Sequence, residues 1–532
     1  MGIMTAGPNA SEPGPARPGV DQTPASRTVQ ANLSDYRQVY AEFSWERARE
    51  SLSGLPGGRG VNIAHEAVDR HAAGALAAHD ALRFVRADGT VHTLSYADLA
   101  EQTSRFASVL QRLGIERADR VFSLCGRIPE LFVAAFGTLK NGSVFCPMFS
   151  GFDPEPVRQR LKLGSGRALV TTRELYREKV APVRFELPEL VQVLLIDAHG
   201  DPDPGTVDLV ELMSDAPPYG DLVAMQPEDM ALLHFTSGTT GPAKGVVHVH
   251  DAVASHYVAG LYALDLHPDD VYWSTADPGW VSGNSHGVIA PLVHGVTVVI
   301  AEGEPDAERT YGVLAGQRVT VWYTTPAVLR MLRAAGPELA AARDLRSLRF
   351  VASGGDRLDA EGVRWGEELF GRPVHDTWRQ TETGGIMLAN FAGTPIRAGS
   401  LGRPMPGVQA AVLQTDAAGR CLLGDDGEVI VVTEPDAPGE LALRAGWPSM
   451  FRGYLRDEAR YRRCFAGGWY LTGDLVRRDA DGYYWFIGRG ADPAETEPAE
   501  TEPAETEPAE TDPAETDPVE TDPAELDQTS GP

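Results

Sequence analysis

Between Tyr36 and Arg489 the chain repeats one pairing: a short apolar run, then a longer stretch with apolar positions three and four apart. The runs include LVTT (169–172), VQVLLID (191–197), ALLHFT (231–236), VTVVIA (296–301), VTVWYTT (319–325) and LRFVAS (348–353). They are too short for core helices and too continuously apolar for half-exposed strands, so they read as strands buried on both faces. The intervening stretches carry helix signals. Ser95 and Asp98 form a capping pair, Leu99, Phe106, Leu110 and Leu113 line one face, and Gly114 ends it. A strand over Arg120–Cys125, a helix over Pro129–Lys140 and a strand over Val144–Met148 follow in the same rhythm. The pattern predicts an α/β fold with mainly parallel sheets. Past Glu428, short strands with Gly turns predict a small β-rich subdomain.

Both ends leave this rhythm. Residues 1–33 are rich in Gly, Pro, Ala and Ser and are expected to be disordered, because they cannot bury enough apolar surface to offset chain entropy. At the other end YYWFIGRG gives way to a five-residue acidic repeat with prolines at 493, 498, 503, 508, 513, 518 and 523. Proline at that period forbids a helix and like charges extend the chain, so 491–532 is expected to be a disordered acidic Pro/Ala/Glu/Thr tail. The folded unit is then 34–490. Fifteen acidic and no basic side chains fall in 491–532, so the net charge of −28 drops to −13 for the rest. That acidic body has no basic stripe, which argues against nucleic acid as a partner. Cys125, Cys146, Cys421 and Cys464 show no CxxC spacing and imply no disulfide framework. With no apolar run of membrane-spanning length and no secretory leader, the sequence reads as a cytoplasmic protein without a membrane partner. It begins Met-Gly, but Ala6 stands where a myristoylation signal needs Ser or Thr.

The run ALLHF leads into FTSGTTGPAKG, residues 235–245. Thr236, Ser237, Thr239 and Thr240 offer hydroxyls, Gly238 and Gly241 free the backbone to approach a ligand, and Lys244 supplies charge. This is the chemistry of a phosphate cradle, although the Walker A spacing is absent. By composition alone an ordinary Ser/Gly turn would read the same way.

Other segments remove that ambiguity. In order along the chain stand YWSTADPGWVSG (272–283), WYTTPAVLRML (322–332), HDTWRQTETGG (375–385) and YLTGDLVRRDADGYYWFIGR (470–489). With the loop, these resemble the adenylate-forming superfamily, and most closely its AMP-forming acetyl-CoA synthetases. The resemblance implies two half-reactions: a carboxylate attacks the α-phosphorus of Mg-ATP, and the thiol of CoA then displaces AMP. It implies ATP, Mg²⁺ and CoA as cofactor and co-substrates, and a small carboxylic acid as partner. Carried over residue by residue, Lys244, Thr381 and Glu382 are catalytic, with Glu382 the Mg²⁺ ligand. Gly355, Asp356 and Arg357 match the adenine-binding tripeptide. Asp376, Thr377, Trp378, Arg379 and Gln380 belong to the nucleotide segment, and Asp474 and Arg489 reach the ribose. Val281, Ser282, Gly354 and Arg379 match the acyl-pocket wall. His248, His250 and His256 in HVHDAVASH have no neighbouring Cys or carboxylate cluster that would complete a metal site, and are expected to serve packing or loop hydrogen bonds.

Departures from the family pattern bear on substrate and activity. Arg379 stands where acetate-specific relatives place a tryptophan, and Gly354 where they place a valine. Two partners are open to Arg379: Asp356 or another nearby carboxylate, or a second carboxylate on the substrate with Gly354 giving the room. Relatives also continue past the Gly-Arg with an acidic hinge and a C-terminal domain, whereas here Ala491 holds the hinge position and the repeat begins. The expectation is a ligase impaired by loss of that domain, with a separate chain as its candidate supplier. The alternatives are a nucleotide- or acyl-adenylate-binding protein without catalysis, or a ligase for a dicarboxylic or larger acid.

Overall fold

The computed structural model describes residues 29–219, 222–236 and 243–494, and the backbone of a short strand, Ala499–Glu500. Among these residues the strands form three main sheets. The first has a parallel centre in the order Asp80–Val85, Thr297–Ala301, Val271–Ser274, Val321–Thr324, Phe350–Gly354 and Val374–Trp378. Antiparallel strands close its edges, Val91–Ser95 on one side, Leu388–Ala389 and Arg403–Pro404 on the other. The second sheet runs Val207–Asp208, Gln192–Leu195, Gly166–Thr171, Arg120–Leu124, Val144–Pro147 and Met230–Thr236 in parallel, and ends on antiparallel Lys244–Val249. The third is antiparallel, built on Ala410–Leu413, Pro438–Arg444, Trp469–Arg478 and Tyr484–Arg489. It is the predicted β-rich subdomain, but it opens at Ala410 rather than after Glu428.

Every continuous apolar run cited above is a strand of the two parallel sheets, and Thr297–Ala301 is buried at every position, as a strand covered on both faces must be. The helix Tyr96–Arg112 starts on a reciprocal Ser95–Asp98 capping box, and Gly114 beyond it takes φ +72°. Against it packs the helix Pro129–Lys140. Gly137 makes the approach possible, since a Cβ there would meet Phe106 and the Thr103 carbonyl at 2.7 Å. Lys140 is buried at the helix end and reaches Asp69 at 2.6 Å.

The described structure extends into both stretches that the sequence reads as disordered. Asn32 donates from its backbone to Asp265 (2.8 Å) and from its side chain to the carbonyls of Leu261 and Leu266 (3.0 Å each), and Leu33 is fully buried. Order therefore begins before residue 34, while residues 1–28 lie outside the described part. At the C-terminal end Ala491–Ala494 pack against the body, with Ala494 buried. The strand Ala499–Glu500 pairs in parallel with Leu422–Leu423. The remainder of the repeat lies outside the described residues. All four cysteines carry free, buried thiols. Among the described residues no helix is long and apolar enough to cross a membrane.

Candidate active site

The strands Met230–Thr236 and Lys244–Val249 form a hairpin that sets Thr236 beside Lys244. Ser237, Gly238, Thr239, Thr240 and Gly241 lie outside the described residues. The hairpin's end opens on a cleft of about 750 Å³. The turn after Val374–Trp378 brings Arg379, Gln380, Thr381 and Glu382 to the same cleft; Gly355 and Asp356 reach it from the end of Phe350–Gly354. Val281 and Ser282 enter at the start of a helical segment, and Arg489 comes from the last strand of the third sheet. Parallel strands thus deliver loops from their C-terminal ends to one crevice.

Several sequence-predicted residues stand behind this surface. Asp376, Thr377 and Trp378 are buried within their strand and Gly354 ends its own, whereas Arg357 is exposed beside Asp356 and donates its N–H to that carboxylate at 2.8 Å. Asp376 is fully enclosed, and burial holds its carboxyl well above the usual carboxylate range. Asp474 is buried beneath the cleft wall formed by Thr472 and Gly473. Its Oδ2 accepts from Trp378 Nε1 at 2.8 Å, and the Arg489 guanidinium pairs with its Oδ1. Burial raises the Asp474 pKa and the Arg489 charge opposes the rise.

Polar contacts hold the turn in shape. Gln380 accepts from the Tyr470 hydroxyl (2.8 Å) and donates to the Thr472 carbonyl (2.7 Å), tying the first sheet to the third. Glu382 accepts from the Tyr454 hydroxyl at 2.9 Å. Burial raises its pKa, and both that hydroxyl and the Lys244 charge work against the rise. Across from Gly473 in the strand Trp469–Arg478, Glu440 accepts the Gly473 N–H at 2.8 Å, and burial pushes its carboxyl up to about 7. His248 sets its ring nitrogens 2.9 Å from the Thr381 carbonyl and 3.1 Å from that of Ser449, and His250 accepts the Ile63 N–H at 3.2 Å. Those two serve loop hydrogen bonds as expected. The His256 ring has no hydrogen-bond partner among the described residues and is buried against His286, in the packing role.

Tyr454 and Glu440 fall in no motif, and Tyr470 opens the last motif without an expected role. Asp492 was assigned to the tail, yet it lines the cleft and its carboxylate sits 3.0 Å from Lys244 Nζ. The segment is seated by the Gly490 N–H on the Gly473 carbonyl (2.8 Å) and by Arg463 on the Ala494 carbonyl (3.0 Å). Gly473, at φ +70°, permits the approach, because a Cβ there would lie 3.1 Å from Pro493 and from the Ala491 carbonyl.

Two expectations about the acyl wall are corrected. Asp356 does not pair with Arg379; it lies 3.6 Å from Arg330 on the exposed side. Gly354 does not open room, because the Tyr323 hydroxyl and Thr377 Oγ1 stand 2.3 and 2.6 Å from where its Cβ would be.

An ammonium, a carboxylate, amide and hydroxyl groups and a guanidinium converge on a crevice large enough for a nucleotide, and known proteins share the pattern. A family model described as AMP-binding enzyme matches residues 68–455. The acetyl-coenzyme A synthetase of Bacillus subtilis (strain 168) is 38% identical over 463 residues, covering 87% of this chain and 78% of the relative. That of Deinococcus radiodurans is 34% identical over 464 residues, covering 81% and 68%. A crystal structure of Brucella canis acyl-CoA synthetase superposes with a TM-score of 0.77 at 33% identity, covering 86% of this chain and 80% of that one. With more than half of its length matched to that one model, and with relatives above 30% identity, the chain belongs to the AMP-binding enzyme family.

Proposed function

We propose that the chain joins a short carboxylic acid to CoA through an acyl-adenylate, as an AMP-forming ligase of the acetate–CoA type. The observation that carries this reading is the convergence of Lys244, Gln380, Thr381, Glu382 and Arg489 on the cleft that Val281 and Ser282 also line, in a chain 38% identical to an acetyl-coenzyme A synthetase. In the first step a carboxylate oxygen attacks the α-phosphorus of ATP, and the bond to the β-phosphate oxygen breaks to release pyrophosphate. Lys244, with the hydroxyls of Thr236 and the following loop, neutralises the leaving pyrophosphate, and Thr381 donates to the α-phosphate. Glu382 offers the oxygen ligand suited to Mg²⁺, which when bound supplies positive charge against the phosphate oxygens. Asp474, held by Trp378, accepts from the ribose hydroxyls beside Arg489, while Gly355, Asp356 and Arg357 border the adenine. In the second step the CoA sulfur attacks the acyl carbon, the bond to the phosphate oxygen breaks, and AMP departs with the electron pair.

ATP–pyrophosphate exchange by the purified chain with a panel of acids tests the reading. Exchange with no acid, together with no Mg-ATP binding, overturns it. Mg-ATP binding without exchange supports a second reading, a nucleotide-binding protein that does not turn over, which the Asp492 contact on Lys244 favours.

A further inference from the structure

Arg379 lines the cleft, but its Nε is buried, and its guanidinium has no hydrogen-bond or ion-pair partner among the described residues. The carboxylates nearest in sequence do not reach it: Asp376 is enclosed in its strand and Glu382 accepts from Tyr454, while Asp356 lies beside Arg330. Around this part of the molecule lie buried imidazoles. His234 sits two residues before the cleft-lining Thr236, and His286 on the segment that begins with the cleft-lining Ser282. His256 lies against His286 with ring centroids 5.9 Å apart. None of the six ring nitrogens of His234, His256 and His286 has a hydrogen-bond partner among the described residues. Burial keeps His234 and His286 neutral, and the Arg379 charge adds to that effect at both. A guanidinium presented to a cleft in this way is a site for a planar oxyanion.

We propose that the acid taken by this cleft carries a second carboxylate, as short dicarboxylic acids such as malonate do, and that Arg379 pairs with it. The inference rests on the acid-activating reading above and names its substrate class. The carboxylate that attacks phosphorus stays near Lys244 and Thr381, and the distal one accepts from the guanidinium fork. A monocarboxylic acid of the same size leaves that fork unpaired, and this mismatch sets the selectivity.

The test is equilibrium titration of the full chain, saturated with Mg²⁺ and a non-hydrolysable ATP analogue, with acetate, propionate, malonate and succinate. Pyrophosphate exchange is run on the same panel. A dicarboxylate is expected to bind about 10- to 100-fold more tightly than the monocarboxylates. Arg379→Gln should erase that preference, and Arg379→Lys should restore part of it by returning the charge without the fork. The wild-type ranking decides even if a variant fails to fold. Acetate binding and exchanging as well as malonate or better overturns the inference and leaves the ligase reading standing. Failure of every acid to bind removes the ligase reading and the inference with it. If Arg379→Gln instead weakens binding of the ATP analogue alone and leaves the ranking of acids unchanged, the anion it meets is a nucleotide phosphate, and the inference is wrong.

Discussion

Replacing Asp492 by Asn should make the protein bind Mg-ATP more tightly while making the unliganded protein slightly less stable. The Asp492 carboxylate lies 3.0 Å from Lys244 Nζ, with the lysine side chain 5% exposed and the aspartate 37%. A hydrogen bond between charged groups contributes about 1.5–3 kcal/mol, and the half-open aspartate reduces this to about 1–2 kcal/mol through solvent screening. In the proposed function the phosphate chain of ATP needs the same ammonium, so nucleotide binding must displace or share that contact. Removing the negative charge should therefore tighten Mg-ATP by roughly 5- to 30-fold, at about 1.4 kcal/mol per tenfold. Asn is the informative replacement because its amide oxygen can still accept the Ala494 N–H that Asp492 Oδ1 holds at 2.9 Å. Isothermal titration at two salt concentrations measures the affinity, and calorimetry of the unliganded protein measures the opposite change in stability. Unchanged or weaker Mg-ATP binding by Asp492→Asn would refute the idea that the carboxylate and the nucleotide compete for Lys244.

Other expectations follow from the same geometry. Asp474→Ala should weaken Mg-ATP binding by about 1.5–3 kcal/mol and lower the melting temperature, because the buried Trp378 indole loses its acceptor; an unaltered affinity would remove Asp474 from the nucleotide site. Glu440 holds its proton more tightly folded than unfolded, with a pKa raised to about 7 from 4.5. Its contribution to stability is present below about pH 4.5 and is lost as pH rises through 7, a change of up to ~3 kcal/mol. Glu440→Gln should accordingly raise the melting temperature relative to wild type at pH 8 and much less at pH 5, and an equal difference at both pH values would contradict this. A chain ending at residue 500 should melt close to the full-length protein, whereas one ending at 490 should melt lower, having lost the Ala494 burial and the Arg463 and Lys244 contacts. Equal melting of the two truncated chains would show that those contacts contribute nothing.

What could be read in the sequence was what neighbouring residues decide among themselves. The Ser95–Asp98 cap and the Pro129–Lys140 helix are local, and the apolar runs announce burial on both faces without any knowledge of their partners. The cleft's motif residues were legible as motifs. Their surroundings were not, because those come from distant chain. Arg379 depends on where Asp356 turns, and that carboxylate turned toward Arg330. Gly354 looked like added space in the sequence, yet Tyr323 from the adjacent strand had filled it. Asp492 carries the same composition as the repeat it begins; only the approach allowed by Gly473 distinguishes it.

The edge position of the Asp80–Val85 and Val91–Ser95 hairpin has a consequence for how the chain is made. Its sheet partner is Thr297–Ala301, with Leu82 beside Val298. A ribosome adding about 5–20 residues per second would deliver that partner on the order of 10–40 s after the hairpin. Asn32 likewise waits for Asp265, and Tyr36 for Pro404. The strands of the second sheet, from Arg120 to Val249, are meanwhile synthesised in one unbroken stretch and can pair among themselves. The first unit to fold on the ribosome is thus the second in sequence, and the early hairpin, with Leu82 and Phe84 uncovered, is the segment most in need of a chaperone during synthesis.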